Sequence, residues 1–598
     1  MTFIVPGDRS FAIIPKHSNL PLAPVHHQRH PGNAIQQQEP YKNNPAQQFQ
    51  LQKNGRGEYH VYLPFDNLHW AIAGVSPNVG ADLIQWHMQD RDGQNSPNQR
   101  FRFMHAGNGY YYLRPVHSGR VLEVPNATRG QDTIKQGTLA PANNRDFQLF
   151  RVVPSSPDYV ANEAHTFHQY SDLVRDAVLG VIGAIPKVGG AVKGVLGVLW
   201  PDGHDKDFWN QTTLYVEQRV KELLKEEKLK NLRSDLQGAR TNADEYLDTY
   251  DLENQRTKLI AAISAATQRE DNFLREQEGV EILSLLAAWG TLVMTLRADM
   301  VKEFVRLHPA VTDPQEQEKG KASELKHLRA AIKRYGEAVQ RSREAAMAWR
   351  LSKIRHDFKG DREYVDLGNG RMSIVDWRKD WVTDSYDGWR MERGYRRPNS
   401  NPGDPDCEAN IAHAFRARKA QVQAQFGAEL DAMLAAAYLW PYFDPTKTEK
   451  PSAQKITAEV GPFGGRPGGT TFGAGTGGLK KIVICSDAGQ AHVCGLQLTY
   501  ADGVEHTYGK KGNQQAALTL ADGEYVANAR GYEWDRVHGL MLETNHGHLI
   551  EGGQLGHHSF FEAGLDDAVN AQLVGISGTH TADALNTLTF HWQYTLQK

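Results

Sequence analysis

The chain has 598 residues, of which 40% are hydrophobic and 23% charged, with a formal charge of -3 at pH 7. It is long enough for several cores and apolar enough to fill them, which excludes a disordered chain, while the charged fraction excludes a multi-span membrane protein. The near-neutral balance, with no basic patch interleaved with aromatics, excludes nucleic acid as a partner.

The opening "MTFIVPGDRSFAIIPKHSN" lacks a basic stretch followed by an apolar one and a small-residue cleavage site, so no signal peptide is expected and the protein should be made soluble in the producer's cytoplasm. Three cysteines, Cys407, Cys485 and Cys494, are too few for a disulfide framework. Cys485 and Cys494 flank a turn signal, and two small buried thiols are the favoured reading over a cross-strand bridge.

Residues 1–153 are rich in turn formers and short alternating runs, the texture of an all-β domain. "FAIIPKHSNLPLAP", "YHVYLPFDNLHWAI" and "YYLRPVHSGRVLEVP" repeat one strand-turn-strand unit. Closing segments "NNPAQQFQL", "NSPNQRFRF" and "ANNRDFQLF" follow them. Three copies of a unit that cannot bury its own apolar face predict a closed three-fold arrangement. The pattern resembles the ricin-B-type β-trefoil, whose repeats close on a Q-x-W motif. Gln47-Gln48-Phe49 and Gln99-Arg100-Phe101 keep that motif with Phe for Trp, and Arg145-Asp146-Phe147 is read as its third copy with only the aromatic retained. The resemblance implies a sugar pocket with an acidic residue after the second strand of each repeat. That position falls near Ala23, near Ala71 and at Glu123, making Glu123 and Asn144 the trefoil's candidate carbohydrate-binding residues.

Residues 154–165 read as a Pro/Ser linker and an exposed proteolytic site, and helical periodicity then runs to about Pro445. The stretch "LVRDAVLGVIGAIPKVGGAVKGVLGVLWPDG" is split by Pro186 and Gly189-Gly190 and interrupted by charges, so it predicts packing at the edge of a bundle rather than a membrane anchor. From Ile282 to Leu296 the sequence carries no charge. A helix apolar all round belongs at the centre of a bundle or in lipid. The starts "LGVIGAIPKVGGAVKGVLGVLWP" and "FWNQTTLYVEQRVKELL", the apolar central helix and the ending "LWPYFDPT" resemble the pore-forming helical domain of the three-domain insecticidal δ-endotoxins. That resemblance implies amphipathic helices around a hydrophobic one, and membrane insertion by the helix from Val280 to Met300 with its partner from Thr257 to Leu274. Ile282, Leu286, Trp289 and Val293 are the candidate membrane-inserting residues. Residues 355–408 form an insertion between the last two helices, in which "YVDLGNGRMSIVDW" predicts a hairpin around Gly368-Asn369-Gly370.

The last regime, 454–598, is Gly-rich and strictly alternating. Its opening "GPFGG", the segment "LADGEYV…GY" and a late G-x-x-x-D-like loop resemble a jacalin-type β-prism lectin. The late loop, Gly578-Thr579-His580-Thr581-Ala582-Asp583, is one residue longer than the family's. By that resemblance the sugar contacts are Gly464, Gly465, Thr581, Ala582 and Asp583, with Tyr532 as a stacking face. "GGRPGGTT" lacks the Gly-Lys-Ser/Thr ending of a phosphate loop, and the histidines at 546, 548, 557 and 558 read as turn residues rather than metal ligands.

The expected fold class is therefore multidomain α and β, a β-trefoil at 1–153, a helical bundle at 166–450 and a β-prism at 454–598. The resemblances imply an insecticidal pore-forming toxin that binds cell-surface glycans or a glycoprotein receptor, acts at the target-cell membrane after release, and assembles there as a homo-oligomer. The alternative is a multivalent defence lectin without pore formation. No nucleophile elbow, H-E-x-x-H or Cys-His arrangement is present, so no enzymatic activity, cofactor or metal is expected.

Overall fold

A computed structural model describes residues 10–154 and 226–597, together with Val192 and Val195. Excepted are 41–43, 54–57, 92–93, 108–109, 129, 141–144, 275–278, 367–370, 387–388, 398–404, 466–467, 476–477, 488–491, 547, 556–558 and 566–568. Of the linker expected at 154–165, Pro154 ends a strand, and the rest, with most of the glycine-rich hydrophobic stretch, lies outside these residues.

In the first region six strands close into a barrel: β1 (Ser10–Pro15), β2 (Phe49–Lys53), β3 (Glu58–Leu63), β4 (Phe101–Gly107), β5 (Tyr110–Pro115) and β6 (Phe150–Pro154). Each pairs antiparallel with the next, and β6 returns to β1. Three hairpins cap it, Leu22–Pro24 with Ile35–Gln37, Leu68–Ile72 with Leu83–Trp86, and Val121–Glu123 with Lys135–Gly137. The three-fold repeat is visible in side-chain chemistry. Gln37, Gln85 and Gln136 each send their amide to two carbonyls of a neighbouring repeat, at 128 and 130, at 28 and 30, and at 76 and 78, over 2.5–2.9 Å. These bonds satisfy buried loop carbonyls, which are costly to leave unpaired.

The closing motif corrects the sequence reading in the third repeat. The short helical turns before β2, β4 and β6 end on Gln47, Gln99 and Gln148, each bonded to a backbone carbonyl of its own repeat. The third copy is Gln148-Leu149-Phe150, not Arg145-Asp146-Phe147. Phe150 is fully buried with Phe49 and Phe101, whereas Phe147 is only half-buried.

The helical region comprises α1 (Glu226–Asp248), α2 (Leu252–Arg269), α3 (Gly279–Lys302), α4 (Pro314–Ser352) and α5 (Pro405–Met433). Asp251 and Asp313 cap α2 and α4 by accepting from Asn254 N and Gln315 N, with Pro314 opening α4. α3 lies in the middle, its residues from Leu285 to Leu296 buried on every side. The absence of charge there is what permits a helix to be enclosed all round. Val192 and Val195 join the same core. At Gly290 a Cβ would lie 2.4 Å from the Trp440 ring, so glycine lets that indole reach α3 and donate to Thr291 at 3.0 Å.

Between α4 and α5 stands a three-stranded antiparallel ribbon, β7 (Ile354–Asp366), β8 (Met372–Asp384) and β9 (Trp389–Arg397). The two strands flanking the predicted hairpin turn are present; the turn lies outside the described residues and the third strand was not foreseen. The ribbon's base is fixed by Asp384, fully buried, which binds Arg350 of α4 and Arg418 of α5 at 2.8 Å each.

The last region forms three four-stranded sheets. The first orders as β10 (Ala453–Phe463), β21 (Leu585–Gln597), β20 (Gln572–His580) and β11 (Thr470–Phe472). The second orders as β14 (Glu505–Gly509), β13 (Val493–Tyr500), β12 (Leu479–Ser486) and β15 (Gln514–Thr519), and the third as β18 (Leu549–Gly553), β17 (Val537–Thr544), β16 (Val526–Glu533) and β19 (Ser559–Glu562). Pairing of the two outermost segments, Ala453 with Gln597 onward, closes the prism. Cys485 and Cys494 are buried free thiols. The chain is thus a β-trefoil, a helical bundle and a β-prism in sequence order.

Candidate carbohydrate sites

In the prism, the loop after β10 lies between two other loops. Gly464 has φ +102°, a conformation that favours glycine, and a Cβ there would stand 1.9 Å from the Asn586 carbonyl oxygen. Its N–H donates to the Glu533 carboxylate. A Cβ on Gly465 would stand 2.1 Å from the Trp534 carbonyl oxygen. Asn586 Nδ2 donates to Gly468 O at 2.9 Å, tying the same loop to the start of β21. Thr581, Ala582 and Asp583 form the exposed turn between β20 and β21. There Thr581 Oγ1 donates to Asp583 Oδ1 at 2.9 Å, and Thr581 N donates to Ala584 O at 2.9 Å. His492 Nε2 lies 3.1 Å from Asp583 O. Asp583 therefore braces its own turn while its carboxylate remains exposed to solvent, where it can accept hydroxyl groups.

Tyr532 does not belong to this site. Its side chain is 2% exposed, packs edge-on to Phe560 at 5.5 Å and directs its hydroxyl toward His117 O of the trefoil. Alternation along β16 places it on the face that the trefoil covers. The exposed ring at the opening loop is instead Trp534, 49% accessible, which sequence reading missed. The available signal was an indole within "EWDRV", a polar turn between two alternating strands.

In the trefoil, Glu123 pairs with Lys135 in the third cap hairpin and accepts from Gln148 Nε2 at 2.7 Å. Burial pushes its carboxyl upward, opposed by that hydrogen bond. Its carboxylate lies over Gly137, where a Cβ would fall 2.1 Å away. The equivalent hairpin positions are Ala23 and Ala71, both buried. Asn144 lies outside the described residues.

In the bundle, Leu286 and Trp289 are wholly enclosed and Val293 nearly so. Trp289 stacks on Phe273 at 4.2 Å and donates from Nε1 to the Tyr335 hydroxyl at 3.0 Å. The side chain of Ile282 is outside the described residues. Among the described residues, no helix is long and apolar enough to cross a membrane.

Comparison with known proteins agrees with the two flanking β-domains. Residues 460–591 match the family model of the jacalin-like lectin domain, and residues 2–86 and 95–173 match that of the ricin-type beta-trefoil lectin domain-like family. Among solved structures, the chain is similar to a designed three-fold symmetric protein, ThreeFoil, at 26% identity over 24% of this chain and 97% of that one, with a TM-score of 0.22. It is similar to the insecticidal delta-endotoxin Cry8Ea1 from Bacillus thuringiensis at 14% identity, covering 71% of this chain and 73% of that one, with a TM-score of 0.42. A mannose-binding jacalin-related lectin from Ananas comosus is 21% identical over 23% of this chain and 96% of its own, with a TM-score of 0.20. No curated protein matches the chain in sequence.

Proposed function

We propose that this chain, with a ricin-type trefoil at one end and a jacalin-like lectin domain at the other, is a glycan-directed pore-forming toxin. The observation that carries the reading is α3, an apolar helix enclosed by amphipathic helices and placed between two lectin-family domains. Two weak sugar sites on one chain gain avidity through effective concentration, which holds the bundle at a glycan-bearing surface. There the hairpin of α2 and α3 leaves the bundle and enters lipid, where a helix satisfies its own backbone groups. Copies of the chain then assemble around the inserted hairpins. The δ-endotoxin resemblance of the sequence gives insects as the target.

A multivalent lectin with a purely structural bundle is the second reading. It is favoured by the polar bonds that fasten α3 to its neighbours, Trp289 to Tyr335, Trp440 to Thr291 and Tyr246 to Asp299. Dye release from vesicles bearing bound glycan separates the two readings. The toxin releases dye and the lectin only aggregates vesicles.

The principal sugar site is assigned to the prism. Asp583→Ala removes a charged acceptor worth about 1.5–3 kcal/mol, so affinity for a glycan column should fall roughly 10–100-fold. The melting temperature should barely move, because Asp583 is exposed. Trp534→Ala should weaken the same binding without unfolding the prism. Glu123→Ala should have the smaller effect on sugar. Undiminished binding by Asp583→Ala would return that residue to bracing its turn.

A further inference from the structure

The trefoil and the prism meet through ionisable side chains that are largely removed from water. Arg102 of β4 donates from one Nη2 to Glu562 of β19, and the same atom lies 3.4 Å from Glu58 of β3. Arg100 Nη1 donates to the other oxygen of Glu58 at 2.7 Å. The Glu58 and Glu562 side chains are 1% and 4% exposed, and both carboxyls lie against the same Arg102 Nη2 across the interface. Beside them, Glu543 of β17 accepts from Arg114 of the trefoil and Arg530 of the prism. Arg530 also donates to Val116 O at 3.3 Å. Arg120 donates to Glu551 at 2.8 Å at the margin. Gly119, at φ +64°, admits the Arg530 guanidinium, because a Cβ there would lie 2.2 Å from it. The third domain reaches the same strand through neutral amides, Gln421 and Gln425 of α5 donating to the carbonyls of Glu562 and Gly564 at 2.7 and 2.6 Å.

We propose that the trefoil is fastened to the prism by a proton-dependent clasp, in which Glu58 and Glu562 meet under the shared guanidinium of Arg102 with one proton between them. Two carboxylates brought this close cannot both stay ionised without strong repulsion. Glu58 carries the proton and donates it to Glu562, and Arg102 neutralises the remaining charge. Burial, supported by Glu562 and opposed by Arg100, pushes Glu58 up to about 7 in the docked chain. Separating the domains removes Glu562 and returns water, so Glu58 falls back toward the ordinary carboxylate range.

Between the ordinary carboxylate range and about 7 the docked state holds a proton that the separated state releases, so docking is strongest below that window, weakens as pH rises through it and levels off above about 7. One proton per docking event means roughly a tenfold fall in the docking constant per pH unit within that window, and none above it. Three buried neighbours of the pair hold one charge state through that window. Burial pushes His117 down to about 4, and it lowers Arg114 only to about 9 and Arg530 only to about 10. The clasp is independent of the toxin reading, and its opening would free the two lectin-family domains to move relative to each other.

Hydrogen exchange on the full chain, corrected for the intrinsic rate at each pH, reads the opening of the loop from 116 to 120 even when the open form is rare. Protection of that loop should fall about five- to tenfold between pH 5 and pH 6 in the wild type, and less than about twofold between pH 7 and pH 8. It should change less than about twofold in Glu58→Gln, whose amide stands in for the protonated carboxyl. Glu562→Gln, which leaves the trefoil untouched, should shrink the pH-dependent fall, because Glu58 loses the partner that helps hold its proton, so a folding defect in the first variant does not remove the test. Protection independent of pH in the wild type, or an equal fall in both variants, would overturn the clasp.

Discussion

Asp384→Ala should destabilise the helical domain by about 3–5 kcal/mol. Asp384 binds Arg350 through both oxygens at 2.8 Å, and its Oδ2 also accepts from Arg418 Nε and Nη2 at 3.0 and 2.8 Å. The two arginine side chains are 4% and 3% exposed. Removing the carboxylate leaves two guanidinium groups facing each other with little water, and breaking a buried pair from one side costs far more than the pair's net worth. The loss should appear in urea unfolding followed by far-ultraviolet circular dichroism. A surface control, Glu316→Ala, breaks the exposed pair with Lys319 and should change stability by no more than about 0.5 kcal/mol. A loss below about 1 kcal/mol for Asp384→Ala would show that the ribbon's base is not held by this charge cluster.

Leu286→Asp should be comparably damaging. Leu286 is fully enclosed in the bundle core. The change deletes a buried aliphatic side chain, worth about 2–5 kcal/mol for truncation alone, and brings in a carboxyl group with no partner prepared for it. The expected outcome is loss of cooperative unfolding or insoluble expression. The prism is expected to keep its affinity for a glycan column, because α3 contributes nothing to the loops at 464, 534 and 583. Normal stability of Leu286→Asp would mean that α3 leaves the core already in solution. The same severity makes charge substitutions in α3 a poor probe of membrane insertion.

The three-part architecture was legible because each part announces itself by period: a three-fold strand repeat, helical spacing, then strict alternation with glycine turns. Residues whose roles depend on which face is covered were harder to place. Tyr532 has the composition of a sugar platform, yet its position on β16 turns it into the trefoil interface. Trp534, two residues on, is the exposed ring. The third closing motif was misplaced because Phe147 stands before the buried Phe150, and only the barrel register distinguishes them. The interdomain charges were invisible in the sequence. Arg102 and Glu562 stand 460 residues apart, as ordinary surface residues of two separate repeats. The prism loops were singled out by resemblance to a lectin family, and the structure sets Gly464 and Asp583 on loops tied to the β20–β21 hairpin.

Release of α3 from the bundle is the step on which the proposed activity depends. A cysteine pair across the contact between α3 and α4 would hold the helix in place when oxidised and free it when reduced. The buried free thiols of Cys485 and Cys494 lie in the prism, away from this contact. Dye leakage should be measured from vesicles carrying a bound glycan, with the same protein oxidised and then reduced. Leakage should be slow from the oxidised form and recover to the wild-type rate on reduction. Equal leakage from both forms would contradict insertion of the α2–α3 hairpin.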